Sequence, residues 1–172
     1  MKIKIITYNI HKGYDWNKKN YFLKDIKFLI KSSKANIVFL QEVVGHSDQY
    51  QKKGLVNSQL EYFADSIWPH YSYAKNAVYN DDHHGNLILS EFPIEKWESI
   101  DISTNIFEKR CFLYSKLLLP NNESMHVICL HLDLFDRGRQ IQYRLIKDYI
   151  QALNLPLGAA LVLAGDFNDW NK

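Results

Sequence analysis

The chain has 172 residues, 47% hydrophobic and 14% aromatic, with 23% charged and a formal net charge of +2. Eleven tyrosines and nine phenylalanines supply enough apolar surface to exclude a disordered chain, and near-neutrality excludes a strongly basic nucleic-acid-binding domain. The length fits one domain over residues 1–172 with a sizeable core, no stretch approaches a membrane span, and two cysteines are too few for a disulfide framework.

Met1–Lys4 leads straight into a strand without a leader-like apolar stretch, so the expectation is a cytoplasmic protein in which Cys111 and Cys129 are reduced core thiols. Lys2–Asn9 reads as the first strand. Asn20–Ser32 reads as a helix with Phe22, Ile26, Leu29 and Ile30 facing a core and Lys24, Lys27 and Lys31 facing water. Asn36–Glu42 is the next strand, and the polar Gly45–Gly54 stretch reads as an exposed loop. A second helix starts at Asn57 or Ser58, turns Leu60, Phe63, Ala64 and Ile67 inward, and is closed by Pro69. Short strands and turns fill Tyr71–Leu119, including a turn-rich loop at Asn80–Gly85. Cys111–Leu119 and Met125–Leu132 form a hairpin around Pro120–Glu123. Arg139–Leu153 is a helix with Ile146, Ile150 and Leu153 on one side and Ile141 and Leu145 beside them, and Ala159–Gly165 is the last strand. Strands dominate and helices fall between some of them, which gives an α+β or mixed α/β class with helices covering sheet faces.

Four of these apolar runs stop abruptly in polar residues: Ile5–Asn9, Ile37–Glu42, Val127–His131 and Leu161–Asn168. Strands ending in Asn, Glu, His and Asp/Asn place one pocket at a sheet edge. In such a pocket a carboxylate holds Mg²⁺ or takes a proton from water, while an amide or imidazole hydrogen-bonds a phosphoryl oxygen. Each signal has a plain alternative. Gly165-Asp166-Phe167-Asn168 also reads as a strand followed by an Asp/Asn turn, Glu42 as a solvated strand end, Asn9 as a turn former and His131 as a structural histidine. His46, His83 and His84 lack the ligand spacing of a zinc site. There is no phosphate-binding Gly-rich loop and no nucleophile elbow.

Taken in order, Thr7–Gly13, Ile37–Val43, Gly85–Ser90, His131-Leu132 and Gly165–Asp169 resemble the endonuclease/exonuclease/phosphatase superfamily, the deoxyribonuclease-I-like fold. Asn9–Gly13, Phe63–Pro69, Asn76–Tyr79, His83–Asn86 and Leu132–Phe135 resemble a bacterial subgroup often encoded beside cardiolipin synthase. The resemblance implies a four-layer α/β/β/α sandwich and divalent-cation-dependent cleavage of phosphoester bonds, with Mg²⁺, or Mn²⁺, as cofactor. By motif, Glu42 with Asn9 would hold the metal, Asp166 would orient or deprotonate water, and Asn168 and His131 would hydrogen-bond the phosphoryl group. Asn9, Arg110 and Asn86 would contact substrate: nucleic acid, a phospholipid headgroup or a small phosphate ester. A monomer is expected. Relatives of this kind continue past Gly165–Asn168 through further strands to an Asp-His pair. The chain is therefore expected to be truncated at its C-terminal side and impaired in activity; the alternatives are an inactive remnant or a non-catalytic phosphate- or nucleic-acid-binding protein.

Overall fold

The computed structural model describes residues 1–56, 58–64, 68–79, 82–105 and 108–170. In chain order the elements are β1 (Ile5–Asn9), a single 3₁₀ turn (His11–Gly13), α1 (Leu23–Ser33), β2 (Ile37–His46), α2 (Asp48–Lys52), α3 (Gln59–Ala64), β3 (His70–Tyr79), β4 (Asp82–Ser90), β5 (Ile94–Asp101), β6 (Cys111–Leu118), β7 (Ser124–His131), α4 (Asp136–Ala152) and β8 (Ala160–Asp166). They form two four-stranded sheets, ordered β1-β2-β4-β3 and β5-β6-β7-β8.

The layers follow from the two-residue period of the strands. On β2, Val38 and Leu40 point outward with Leu87 and Leu89 of β4, and Leu23, Ile26 and Ile30 of α1 and Phe63 of α3 cover them. Ile37, Phe39 and Ile88 point the other way and meet Leu113, Leu117, Val127 and Cys129 between the sheets. The outer face of the second sheet, with Phe112, Tyr114, Ile128 and Leu130, is closed by α4 through Ile146. The result is the expected four layers, helix–sheet–sheet–helix. Among the described residues no helix is long and apolar enough to cross a membrane.

Each sheet contains one parallel pair, and that pairing positions the site. β1 runs beside β2 with Asn9 opposite Gln41, and β7 runs beside β8 with His131 opposite Asp166. The edge strands β1 and β8 are joined by a hydrogen bond from Asn9 Nδ2 to Asp166 Oδ2 at 3.0 Å. Cys111 and Cys129 are free, buried thiols, pushed up by burial to about 11 and about 12, so both stay protonated at neutral pH.

Several expectations change. β2 does not end at Glu42: it runs on to His46, and Glu42 sits in a bulge where the register to β4 shifts between Leu40 and Val43. Helix α1 begins at Leu23 and buries Leu23, Ile26 and Ile30; Phe22 precedes the helix, and Leu29 is exposed. The Gly45–Gly54 loop contains α2, started by Ser47, whose hydroxyl accepts from Tyr50 N–H at 3.2 Å. Of the Asn80–Gly85 loop, Asp82–Gly85 is strand, because β3 and β4 stay paired out to Tyr79 and Asp82; Asn80 and Asp81 lie outside the described residues, as do Asn57 and Ile67. Helix α4 starts at Asp136, three residues earlier than the pattern predicts, and Ile141 and Leu145 stay partly exposed on its flank.

Candidate active site

A cleft of about 790 Å³ opens over the ends of the two parallel pairs. Asn9, Glu42, Arg110, His131, Asp166 and Asn168 all line it, so six of the seven residues singled out from sequence converge on one place. The Asn9 amide is its hinge. Nδ2 donates to Glu42 Oε1 at 3.3 Å and to Asp166 Oδ2 at 3.0 Å, while Oδ1 accepts from His11 N–H at 3.0 Å. One side chain therefore aligns carboxylates from different sheets. On the far side of Asp166, His131 Nε2 lies 3.8 Å from Oδ2.

The backbone around the cleft is unusual. Eight non-glycine residues among those described have positive φ, and five of them line the cleft: His11, Lys12, Lys18, Glu42 and Asn168. Left-handed backbone costs a side-chain-bearing residue on the order of 1–3 kcal/mol, and such residues cluster at functional sites. The other three, Lys34, Asn122 and Asn154, belong to helix ends and a turn, where this conformation is ordinary.

Burial alone would raise the Glu42 carboxyl, but the fields of His131 and Lys12 and the Asn9 hydrogen bond outweigh it and hold Glu42 below its ordinary range. His131 is pushed down to about 4, first by burial and then by Arg110, so its imidazole is neutral at pH 7. Its Nδ1 is buried with no hydrogen-bond partner among the described residues. His84 on β4 is likewise pushed down to about 4, by burial and then by Lys12. This has a measurable consequence. The unfolded histidines titrate near 6.5 and the folded ones near 4. Between those values the unfolded chain binds protons that the folded chain does not, so stability rises with pH there. Urea unfolding at pH 7 and pH 5 is expected to show a loss of about 2 kcal/mol per histidine at the lower pH. A flat profile over that window would contradict neutral, buried imidazoles.

Asn168 differs from expectation. Its Nδ2 donates to Leu132 O at 2.7 Å and its Oδ1 accepts from Trp170 Nε1 at 3.3 Å, so the amide is turned into the protein. What it gives Asp166 is its backbone N–H, donated to Oδ1 at 2.9 Å. Asn86 is not in the cleft wall at all. It is fully buried on β4 and donates through Nδ2 to Cys111 O at 2.8 Å. Its side chain is spent on the Cys111 carbonyl inside the seam, away from the strand ends over which the cleft opens.

Sequence reasoning missed Lys12, His11 and His84. Lys12 lines the main cleft and the neighbouring hollows of about 290 Å³, and its carbonyl is held by Gln59 Nε2 at 2.7 Å and Tyr50 OH at 3.1 Å. The one available signal was the His11-Lys12-Gly13 run directly after Asn9.

The residues present suit one kind of cation. Among the described residues no group of three or more His, Cys, Asp or Glu side chains converges to hold a metal by itself. Two carboxylates held on one amide and facing an open cleft instead suit a hard cation that keeps much of its own water, as Mg²⁺ does.

The model of the Endonuclease/Exonuclease/phosphatase family matches residues 6–171. The protein named YbhP from Escherichia coli K12, described as uncharacterized, is 36% identical over 173 residues, covering 98% of this chain and 68% of its own length. The Shigella flexneri protein of that name matches equally. Among solved structures, an endonuclease/exonuclease/phosphatase from Beutenbergia cavernae superposes with a TM-score of 0.77 at 18% identity, covering 99% of this chain and 48% of that one. D. rerio TDP2 complexed with a single-strand DNA product gives 0.65 at 18% identity, covering 96% and 60%. The chain thus spans about half to three fifths of the length of these two structures, and they share its fold. With the match running over nearly every residue, Asn9, Glu42, His131 and Asp166 included, the chain belongs to the Endonuclease/Exonuclease/phosphatase family.

Proposed function

We propose that this protein hydrolyses phosphoester bonds with a divalent cation, and that a phosphodiester is the bond it cuts. The observation that carries this reading is the Asn9 amide holding Glu42 and Asp166 side by side in a cleft that His131 and Arg110 also line. Glu42 and Asp166 would hold Mg²⁺, or Mn²⁺ in its place, with Asn9 setting their spacing. When bound, the cation supplies Lewis-acid polarisation of a phosphoryl oxygen. The chain's own groups do the rest. Asp166, kept in place by Asn9 and by the Asn168 N–H, accepts a proton from the attacking water. Neutral His131 donates a hydrogen bond through Nε2 to a phosphoryl oxygen as charge grows there. Arg110 and Lys12 neutralise the phosphate.

The fold is shared with TDP2 in complex with a single-strand DNA product, which favours nucleic acid among the candidate substrates over a phospholipid headgroup or small ester. The activity, substrate and a monomeric, cytoplasmic state are proposed for the whole protein. A phosphate-binding role without chemistry is the second reading, favoured by the lack of a three-ligand metal cluster among the described residues. Two measurements separate them. Hydrolysis of bis(p-nitrophenyl) phosphate that needs Mg²⁺ and stops with a chelator supports the enzyme. Mn²⁺ should also broaden the amide resonances of Asn9 and Asp166. Phosphate binding with neither effect would leave only the second reading.

A further inference from the structure

Arg110 sits just before β6 and is 7% exposed, with Nη2 paired to Glu108 and Nε buried without a partner among the described residues. Its backbone is gripped on every side. The Arg110 N–H donates to Ser103 Oγ at 3.0 Å, and its carbonyl accepts from Ile102 N–H at 2.9 Å and Ser103 Oγ at 3.3 Å. The next peptide is held from the other sheet. Cys111 N–H donates to Asn76 Oδ1 of β3 at 3.3 Å, and Cys111 O accepts from Asn86 Nδ2 of β4 at 2.8 Å.

These two amides stand in a largely apolar seam, buried to 7% and 0% exposure. Asn76 Nδ2 and Asn86 Oδ1 also find no partner among the described residues. Cohesion between the sheets comes from the apolar residues of the seam, and half-satisfied buried amides are a poor way to add to it. What the amides do that leucines would not is fix the orientation of the Arg110–Cys111 peptide and of the Cys111 carbonyl. That orientation sets the direction in which the Arg110 side chain leaves the strand.

We propose that Asn76 and Asn86 are positioning residues for Arg110: a clamp from β3 and β4 that aims the guanidinium, with its unused Nε–H, at an anion in the cleft. The proposal rests on the reading of the cleft as a phosphate-ester site. A guanidinium presents paired N–H donors in a fixed fork, so a rotation of its stem that would be harmless for a lysine spoils two-point contact with phosphate oxygens. The two amides therefore act on anion affinity while lying outside the cleft wall.

The test is the affinity for inorganic phosphate by calorimetry, with the Arg110 Nε–H resonance as a second readout. The wild-type protein should bind phosphate and shift that resonance. Arg110→Leu is expected to weaken binding about 10-fold or more, the scale for losing a charge-assisted hydrogen bond. Asn86→Leu should weaken it at least 5-fold and broaden the Nε–H signal, and adding it to Arg110→Leu should cost nothing more. Ser72→Ala, which breaks the buried 2.7 Å hydrogen bond to Ser115 elsewhere in the seam, serves as the control; it should lower the Tm without changing phosphate affinity. Should Asn86→Leu not fold, Asn86→Ser and Asn76→Ser carry the same expectation. A wild-type protein that binds no phosphate overturns the reading of the cleft itself. A loss in Arg110→Leu with none in the amide variants overturns the clamp alone, as does an equal loss in Ser72→Ala.

Discussion

Replacing Glu42 with Gln is expected to lower kcat/KM for Mg²⁺-dependent phosphodiester cleavage by on the order of 10³-fold while leaving the fold intact. The carboxylate is held below its ordinary range, which favours its charged form at neutral pH, and it shares the Asn9 donor with Asp166. Gln keeps the shape and an acceptor for Asn9 but removes the charge. The site is then left with one carboxylate, against the attraction of a doubly charged ion. The fold has little to lose, because Glu42 sits in a bulge where the ladder is already interrupted, at a φ of 57°. Glu42→Gly sharpens the point. Glycine adopts that φ without strain, so the variant should be as stable as the wild type or more so, by about 0.5–1 kcal/mol, and equally inactive. Urea unfolding of the three proteins beside their hydrolysis rates checks both halves. Retained activity in either variant would remove Glu42 from the chemistry.

The parts of this site that were legible in the sequence are those fixed by strand pattern. Asn9, His131 and Asp166 close apolar runs; parallel pairing in register sets His131 opposite Asp166, and the packing of one sheet on the other brings Asn9 to Asp166. A strand end is a local property of the chain. So is the alternation on β2 that sends Phe39 between the sheets and Leu40 under α1. What escaped depends on partners far away in sequence. Glu42 reads as a strand terminus, yet it is a bulge inside a longer strand, because β4 continues to pair beyond it out to His46. Asn168 reads as a free amide two residues after Asp166, but the carbonyl of Leu132, 36 positions earlier, turns it inward. Asn86 reads as a substrate contact, yet it is buried between the sheets and bonded to Cys111 on the other one. The helix faces show the same limit. α1 buries Leu23, Ile26 and Ile30 against the sheet and leaves Phe28 and Leu29 exposed, a choice of stripe made by what packs on the helix.

Substituting Ala for Gly165 is expected to cost about 3 kcal/mol or more and to disable the cleft, although a methyl group is all that is added. Gly165 lies opposite Leu130 in the β7–β8 pair, with φ at 149°. A Cβ built there meets the Leu130 carbonyl oxygen at 1.9 Å and its carbon at 2.8 Å. These are backbone atoms of a strand buried in the second sheet, so the neighbour cannot give way by a rotamer change. β8 must move instead, and among the described residues β7 is its only strand neighbour in the sheet. The next residue is Asp166, so the same displacement pulls its carboxylate from Asn9 and His131. Gly158 separates steric cost from conformational cost. Its φ of 85° is equally left-handed, but nothing lies within 4 Å of an added Cβ, so Gly158→Ala should cost only about 1 kcal/mol and leave hydrolysis as it was. Hydrogen exchange should show protection lost along β8 in Gly165→Ala and kept in Gly158→Ala. If the two variants lost equal stability, backbone strain alone would explain both, and the close approach at Leu130 would not be what places Asp166.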